Sequence, residues 1–250
     1  PAMRSLVAEL EQAFPEPLCP TYVFSNHDRP RGIDRLGNDP ARARLLAAFQ
    51  LTVRGVPFLY YGDEIGLGHH HGMPREAARD PLAARFRNIP GWLVPAMRRR
   101  GILINRDECR TPMQWSADDN AGFSAPRTRP WLPVHPNYPW INVATQLGDP
   151  GSLLSHYKQL LTLRRKLPAL HAGRLSLWHP TNLPQDVLGY TRQHGSDAVD
   201  VLLHFGTQLV EVSLPGPRRV LYSTHRESPL LDGNRIRLRP LECVMLALPQ

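Results

Sequence analysis

Three polar side chains with the chemistry of an active site follow one short apolar stretch of the chain. Residues 22–24 (Tyr-Val-Phe) favour a buried β-strand, and Asn26, His27 and Asp28 come directly after it. Active sites of α/β barrels are built at the ends of such strands. A carboxylate beside an imidazole therefore indicates catalysis or binding of a hydroxyl-rich ligand such as a sugar. The alternative is a capped turn in which Asn26 and Asp28 bond the local backbone.

A second strand repeats the arrangement. Residues 56–61 (Val-Pro-Phe-Leu-Tyr-Tyr) are apolar, and Asp63 and Glu64 follow them. Between the two strands, Asp39 and Pro40 are typical of a helix start and Gly55 of a helix end. Because a further helix precedes the first strand, the order is helix, strand, helix, strand, which predicts a parallel sheet with crossover helices.

The first helix is predicted from helical spacing of apolar residues. They are Met3, Leu6, Val7, Leu10 and Phe14. Such a helix must bury its apolar face, and the strand that follows is the first available partner. Because the chain begins at Pro1 and enters this helix at once, we expect it to be part of a larger fold.

The second half of the chain changes character. Residues 66–148 form a long stretch without regular alternation, which indicates a functional loop region. A helix is predicted over residues 152–167. From Gly173 onward, short β-rich segments alternate with turn residues and predict an antiparallel β-domain of six to eight strands. The predicted domains are residues 1–170 and residues 171–250.

Composition excludes several classes of protein. A chain of 250 residues with 42% hydrophobic and 21% charged residues is typical of a soluble globular protein. No apolar run reaches membrane-spanning length, so no membrane partner is predicted. The net charge of +8 comes almost wholly from arginine, and no recognition motif accompanies it. Nucleic acid is therefore not a predicted partner.

Cysteine and histidine usage predicts no metal site and no cofactor. Cys19, Cys109 and Cys243 are far apart in the chain, which favours reduced thiols and a cytoplasmic setting. The residues His69, His70 and His71 are consecutive. Consecutive side chains do not point the same way. We therefore expect this triplet to lie in a solvent-exposed loop rather than to bind a metal.

Three blocks of sequence together resemble a known family. They are residues 24–28 (Phe-Ser-Asn-His-Asp), 55–66 (Gly-Val-Pro-Phe-Leu-Tyr-Tyr-Gly-Asp-Glu-Ile-Gly) and 106–115 (Arg-Asp-Glu-Cys-Arg-Thr-Pro-Met-Gln-Trp). Their order resembles the α-glucosidase and oligo-1,6-glucosidase branch of the α-amylase superfamily, glycoside hydrolase family 13. The resemblance implies the C-terminal part of a (β/α)8 TIM barrel, with its seventh and eighth strands, followed by an antiparallel β-sandwich.

The resemblance also implies roles for individual residues. Asp28 would be the catalytic transition-state stabiliser, and Asn26 and His27 would bind the same glucose. Arg110 would donate to that glucose or to a neighbouring carboxylate, and Arg31 lies within loop reach of the pocket. A charged carboxylate accepts strong hydrogen bonds from sugar hydroxyls. These hydrogen bonds become stronger in an oxocarbenium-like transition state.

Other polar and aromatic residues are interpreted more cautiously. Asp63 and Glu64 are adjacent, so their carboxylates diverge, and the family uses this turn mainly structurally. Asp107 and Glu108 are expected to brace Arg110 or neighbouring loops. Three tryptophans are candidates for sugar stacking or for buried packing: Trp115, Trp131 and Trp140.

The function implied is part of a retaining α-glucosidase that acts on α-linked oligosaccharides or glucosides. Retaining cleavage needs a nucleophile and a general acid, both carboxylates. In the family these follow earlier barrel strands, so we expect them upstream of residue 1. The expected partner of this chain is then the missing N-terminal part of the barrel, and the chain alone should be inactive. Calcium stays open for a full-length protein and is not indicated here.

Three alternatives remain from other classes. A relative that transfers or isomerises the glucosyl unit, such as a trehalose synthase, would share the same blocks. A non-catalytic glucan-binding or partner protein would keep the sugar contacts and lack the upstream carboxylates. A self-sufficient hydrolase would have to pair Asp28 with Glu64.

Overall fold

The structure is a computed structural model that describes residues 2–100, 102–225, 227 and 229–249. Contacts divide the chain into two compact units. Unit 1 comprises Pro1–Tyr22, Ala41–Pro57 and Ser155–Gln250, and unit 2 comprises Val23–Pro40 and Phe58–Leu154. These units do not follow the predicted boundary between residues 170 and 171, which stays a prediction.

The described residues form short helices and strands. The α-helices are α1 Ala2–Ala13, α2 Gly32–Arg35, α3 Pro40–Thr52, α4 Pro81–Arg85, α5 Val94–Arg99, α6 Val143–Leu147, α7 Leu153–Lys166 and α8 Pro168–Ala172. The strands are β1 Thr21–Val23, β2 Val56–Phe58, β3 Arg174–Leu177, β4 Val187–His194, β5 Asp197–His204, β6 Val210–Ser213, β7 Arg219–Ser223, β8 Leu230–Asp232, β9 Arg235–Leu238 and β10 Cys243–Ala247. The 3-10 helices are Asp63–Ile65, Arg75–Ala77, Gly91–Leu93, Arg106–Cys109, Asp119–Gly122 and Pro180–Asn182.

Helix α1 forms as predicted, but its apolar face is not buried as expected. Val7 is its only fully covered apolar side chain among those described, whereas Leu6 and Phe14 remain exposed. The strand expected to cover this face, β1, is only three residues long. Such a strand spans about 10 Å and cannot cover a helix of twelve residues.

Strands β1 and β2 pair with each other and are shorter than the sequence predicts. Gly55 allows a close approach before β2, because a Cβ there would lie 2.7 Å from the ring of Tyr22. The predicted second strand extended to residue 61, but β2 ends at Phe58. Tyr60 and Tyr61 instead pack against the guanidinium of Arg31, which lies 4.6 Å from each ring centroid.

The tail of the chain is an antiparallel β-sandwich, as predicted. One sheet has the order β3-β4-β5-β10-β7 and the other β6-β9-β8. Apolar side chains from both sheets pack into one core that includes Leu202, Val212, Ile236 and Val244. In the part of the chain that the structure describes, these two sheets contain eight strands, which lies within the predicted six to eight.

A buried polar contact joins α3 to the sandwich within unit 1. The hydroxyls of Thr52 and Tyr190 lie 2.6 Å apart, and burial raises the pKa of Tyr190. Arg192 donates from Nη1 to the Thr52 carbonyl and from Nη2 to the Gly173 carbonyl. These hydrogen bonds therefore satisfy buried polar groups that purely apolar neighbours would leave without partners.

Unit 2 has little regular structure, as predicted for residues 66–148. Its small apolar core contains Ile65, Leu67 and Met113. Side-chain bonds to the backbone hold the loops, for example from Gln146 to the Ile65 carbonyl at 2.8 Å. Among the residues that the structure describes, no helix has the length and hydropathy needed to cross a lipid bilayer.

Candidate active site

A tight turn places Asp28 directly after β1. The side-chain Oδ1 of Asn26 accepts the backbone N–H of Asp28 at 2.9 Å, the geometry of an Asx turn. The capped-turn alternative therefore holds for Asn26, whose side-chain oxygen supports the backbone. The carboxylate of Asp28 is left free to point away from this turn.

Two arginines converge on one oxygen of Asp28. Nη1 of Arg106 lies 3.1 Å and Nη2 of Arg110 lies 3.0 Å from Oδ1. Both arginines come from the 3-10 helix Arg106–Cys109 and the residue after it. Charge-assisted bonds of this kind fix the direction of the carboxylate.

His27 lies on the other side of the carboxylate. Its Nε2 is 3.4 Å from Oδ2 of Asp28, and its backbone carbonyl accepts from Nε of Arg110 at 2.8 Å. The side chains of His27 and Asp28 are 66% and 45% exposed. Oδ2 of Asp28 can therefore accept a hydrogen bond from a ligand hydroxyl while Oδ1 is held by the two arginines.

The surroundings keep Asp28 ionised. Partial burial raises the pKa of this carboxyl, but His27, Arg106 and Arg110 together lower it further than burial raises it, so that the net pKa lies below its usual value. An anionic acceptor at neutral pH is what a sugar-binding role requires.

Asp80 is a second carboxylate that positions Arg106. It accepts from Nε and Nη2 of Arg106, both at 2.8 Å, and its side chain is fully buried. The hydrogen bonds from Arg106 hold the pKa of Asp80 well below its usual range. Arg106 therefore joins a buried carboxylate to the exposed carboxylate of Asp28.

Asp107 braces the same region. Its Oδ2 accepts the backbone N–H groups of Arg79 and Asp80 at 2.6 and 2.7 Å. Its Oδ1 lies 3.5 Å from Nη1 of Arg110, the bracing contact that the sequence predicts for Asp107.

Sequence reasoning missed Arg106 and Asp80 as members of the site. For Arg106 a signal was present, because it lies four residues before Arg110 in the same sequence block. For Asp80 no local signal exists, because its partner Arg106 is 26 positions away.

Arg31 is fully buried rather than exposed at the pocket. Its Nη1 donates to the Tyr61 carbonyl, and its guanidinium stacks against Tyr60 and Tyr61. A substrate-binding role for Arg31 stays an untested prediction. Its contacts show that it holds the segment after β2 in place.

Asp63 and Glu64 follow β2 in the 3-10 helix Asp63–Ile65. Burial raises the pKa of Asp63 to about 6, although a hydrogen bond from Ser25 and the charge of Arg31 oppose the shift. Asp63 is thus part of the packing around Ser25, as the structural interpretation of this turn predicts.

The prediction that the histidine triplet is solvent-exposed is wrong for two of its members. His69 and His70 are buried, and only His71 is exposed. Burial and the neighbouring imidazole of His135 lower the pKa of His70 to about 4. The loop folds inward because the backbone N–H of His70 donates to the Glu108 carbonyl at 2.8 Å.

The three candidate tryptophans are exposed rather than packed inside. Trp115, Trp131 and Trp140 are 50%, 76% and 74% exposed, so all three are accessible to a ligand. The guanidinium of Arg79 lies 5.4 Å from the ring centroid of Trp131. Stacking of any of these rings on a sugar stays a prediction.

Comparison with known proteins identifies the family. The family described as "Alpha amylase, catalytic domain" matches residues 1–173. The chain belongs to the α-amylase family. The predicted resemblance is therefore confirmed, and with it the barrel and sandwich architecture of the α-amylase fold.

Curated relatives of this chain include glucosidases. The oligo-1,6-glucosidase of Parageobacillus thermoglucosidasius is 32% identical over 238 residues, which cover 88% of this chain and 41% of the relative. The α-glucosidase of Pediococcus pentosaceus is 37% identical, with 73% of this chain and 34% of the relative covered. The chain thus spans less than half the length of these relatives.

Solved structures similar to this chain include a trehalulose synthase and an isomaltulose synthase. Trehalulose synthase MutB from Pseudomonas mesoacidophila MX-45 is 29% identical, with a TM-score of 0.81 over 98% of this chain and 46% of that protein. Isomaltulose synthase PalI from Klebsiella sp. LX3 is 27% identical with the same TM-score and coverage.

Proposed function

We propose that this chain supplies the sugar-binding, transition-state-stabilising part of a retaining α-glucosidase. Asp28 is its catalytic stabiliser, and His27 and Arg110 bind the same glucosyl unit or orient Asp28. The nucleophile and general acid belong to the remaining part of the barrel. The substrates are α-linked oligosaccharides or glucosides, in line with the names of the curated relatives.

The observation that carries the proposal is the fixation of Asp28 by two arginines through one oxygen. Oδ1 is engaged by Arg106 and Arg110, and Oδ2 remains beside His27 at an exposed position. Hydroxyl hydrogen bonds to a fixed, charged acceptor strengthen as positive charge develops on the sugar ring. A preorganised carboxylate needs no reorientation at that moment, which lowers the barrier.

Arg110 has a distinct part in this arrangement. It donates from Nε to the backbone of His27 and from Nη2 to Asp28, so one planar guanidinium orients both members of the pair. Lysine carries a single donor centre and cannot make both bonds in this geometry. Asn26 shapes the turn, and its contact with substrate stays a prediction.

The test measures cleavage of 4-nitrophenyl α-D-glucoside by a protein that contains residues 1–250 together with the sequence encoded upstream of them. We expect hydrolysis with retention of the anomeric configuration, observed by NMR of the first-formed sugar. No cleavage of this glucoside or of isomaltose would contradict the proposal. Inversion would contradict the assignment to the retaining class.

A second candidate, a glucosyl-isomerising enzyme, is favoured by the solved structures. Trehalulose synthase MutB and isomaltulose synthase PalI are both superposable on 98% of this chain. Incubating the same protein with sucrose separates the two functions. Glucose and fructose as products support hydrolysis, whereas a disaccharide isomer of sucrose supports isomerisation.

A non-catalytic glucan-binding protein is distinguished by its upstream sequence. Acidic residues at the ends of the fourth and fifth barrel strands would support the enzyme, and their replacement would support the binding protein.

The cytoplasmic location expected from the cysteine usage stays a prediction.

A further inference from the structure

A cluster of metal-binding side chains lies in unit 2 beside the histidine triplet. His69, His71 and Glu108 each offer one ligand atom, and these atoms lie within 4.8 Å of one another. We propose that these three side chains bind one divalent transition-metal ion, represented by zinc. This departs from the sequence analysis, which predicts no metal site.

The separation of the ligand atoms fits a small metal ion. Nε2 of His69 lies 3.1 Å from Oε2 of Glu108. Around tetrahedral zinc, with bonds of about 2.0–2.2 Å, two ligand atoms lie about 3.3 Å apart. The hydrogen bond between His69 and Glu108 can therefore be replaced by two metal bonds with little movement of either side chain.

Two of the three proposed ligand side chains are buried. The side chains of His69 and Glu108 are 2% and 4% exposed. Nδ1 of His69 is buried and has no hydrogen-bond partner among the described residues, so the hydrogen bond of this imidazole there is the one between Nε2 and Glu108. Such a contact between two good ligand groups is an arrangement that a metal ion would stabilise.

Backbone hydrogen bonds hold the loop against Glu108. The N–H of His70 donates to the Glu108 carbonyl, and the N–H of His71 donates to the His69 carbonyl at 2.9 Å. The rings of His69 and His71 lie 4.7 Å apart between centroids. The two ligand histidines are thus presented together although they are not adjacent in the chain.

Neighbouring charged groups orient the ligands. Arg98 donates to Oε1 of Glu108, which leaves Oε2 for the metal. Nε2 of His71 lies 2.8 Å from Oδ1 of Asp34, and a donated Nε2–H leaves the lone pair of Nδ1 to bind. Hydrogen bonds to ligands are typical of protein metal sites, and here the charge of Asp34 also offsets that of Arg98.

The site is accessible from solvent. His71 is exposed, and the three ligand residues line a cavity of about 600 Å³. Two imidazoles and a carboxylate suit zinc, nickel or copper. Calcium and magnesium prefer oxygen-only ligand sets, so they should bind this cluster poorly.

The experiment titrates zinc chloride into the metal-free protein that contains residues 1–250 with the sequence encoded upstream and carries Cys19→Ser, because Cys19 is an exposed thiol that could bind zinc itself. Calorimetry should show one equivalent of zinc per chain, and zinc should raise the unfolding temperature. We expect His71→Gln to weaken binding by more than about 100-fold, since a ligand is lost. The exposed side chain of His71 makes this variant the one best able to fold normally.

His194→Gln is the matched control, because His194 is an exposed histidine of unit 1. It should bind zinc as the parent does. The proposal is overturned if the parent binds less than one equivalent, or if His71→Gln retains the parent affinity. Displacement of zinc by an equal concentration of calcium or magnesium would also overturn it, because the assigned metal class would then be wrong.

Discussion

Arg106 and Asp28 lie 78 positions apart in the chain, and Nη1 of Arg106 donates to Oδ1 of Asp28 over 3.1 Å. The same guanidinium binds the buried carboxylate of Asp80 through Nε and Nη2. Asp80 therefore fixes the position from which Arg106 acts on Asp28. The direction of the exposed carboxylate of Asp28 therefore depends on an ion pair whose carboxylate, that of Asp80, is buried.

A double-mutant cycle of Arg106→Gln and Asp80→Asn measures this ion pair. We expect the double variant to lose less stability in urea unfolding than the sum of the two single losses, because Arg106 donates two hydrogen bonds to Asp80. Each single variant should lose stability, since each leaves a partner of the pair unmatched. Additive effects within about 0.3 kcal/mol would show that the pair contributes no mutual stabilisation.

Arg110→Lys tests the orientation of the His27–Asp28 pair in the longer protein. We expect kcat/KM for the aryl α-glucoside to fall by about 10- to 100-fold, a loss of about 1.4–2.7 kcal/mol of transition-state stabilisation. The unfolding temperature should stay close to that of the parent. Arg235→Lys, at an exposed position of β9, is the matched control and should leave kcat/KM unchanged. Equal kinetics for both variants would remove Arg110 from the site.

The raised pKa of Asp63 predicts a specific pH dependence of the free energy of unfolding. Its pKa is raised from 3.8 to about 6 in the folded chain, so folding favours the protonated acid. The contribution of Asp63 to the free energy of unfolding should be fully present below about pH 3.8, be lost as the pH rises through about 6, and stay level above that. The total change is about 3 kcal/mol.

Asp63→Asn removes this titration. The stability difference between the parent and the variant should therefore shift in favour of the variant between pH 4 and pH 7, as measured by urea unfolding at a series of pH values. A difference that is constant across this range would contradict the raised pKa.

Tyr190→Phe tests the buried contact between α3 and the sandwich. Removing the hydroxyl should lower the free energy of unfolding by about 1–2 kcal/mol. Thr52 keeps its bond to the Ala48 carbonyl at 2.6 Å, which limits the loss. Tyr138→Phe is the control, because its hydroxyl makes none of the described hydrogen bonds. A loss in Tyr138→Phe equal to that in Tyr190→Phe would remove the Thr52 contact as the cause.

The sequence predicts those parts of the site that depend on local order. Asn26 and Asp28 are two positions apart, and the turn between them follows from a short strand and an Asx residue. Helix α1 follows from apolar spacing, helix α3 follows from residues typical of helix ends, and the sandwich follows from alternating short strands. These features depend on residues only a few positions apart. Patterns over such short distances can be recognised in a single sequence.

Contacts between distant segments could not be predicted. Glu108 and His69 are 39 positions apart, and no spacing rule relates them. The burial of Arg31 depends on Tyr60 and Tyr61, about 30 positions later in the chain, and no local pattern around Arg31 indicates these partners. Such pairings depend on how loops without regular structure return to each other, and each loop allows many partners.

The most direct test of the central claim is the turnover of Asp28→Asn in the protein that contains residues 1–250 and the sequence encoded upstream. We expect kcat to fall by about three orders of magnitude while the unfolding temperature is retained, because several kcal/mol of transition-state stabilisation depend on the charged acceptor. Asp232→Asn, an exposed carboxylate of the sandwich, should leave kcat unchanged. A kcat for Asp28→Asn within a few-fold of the parent would contradict the account.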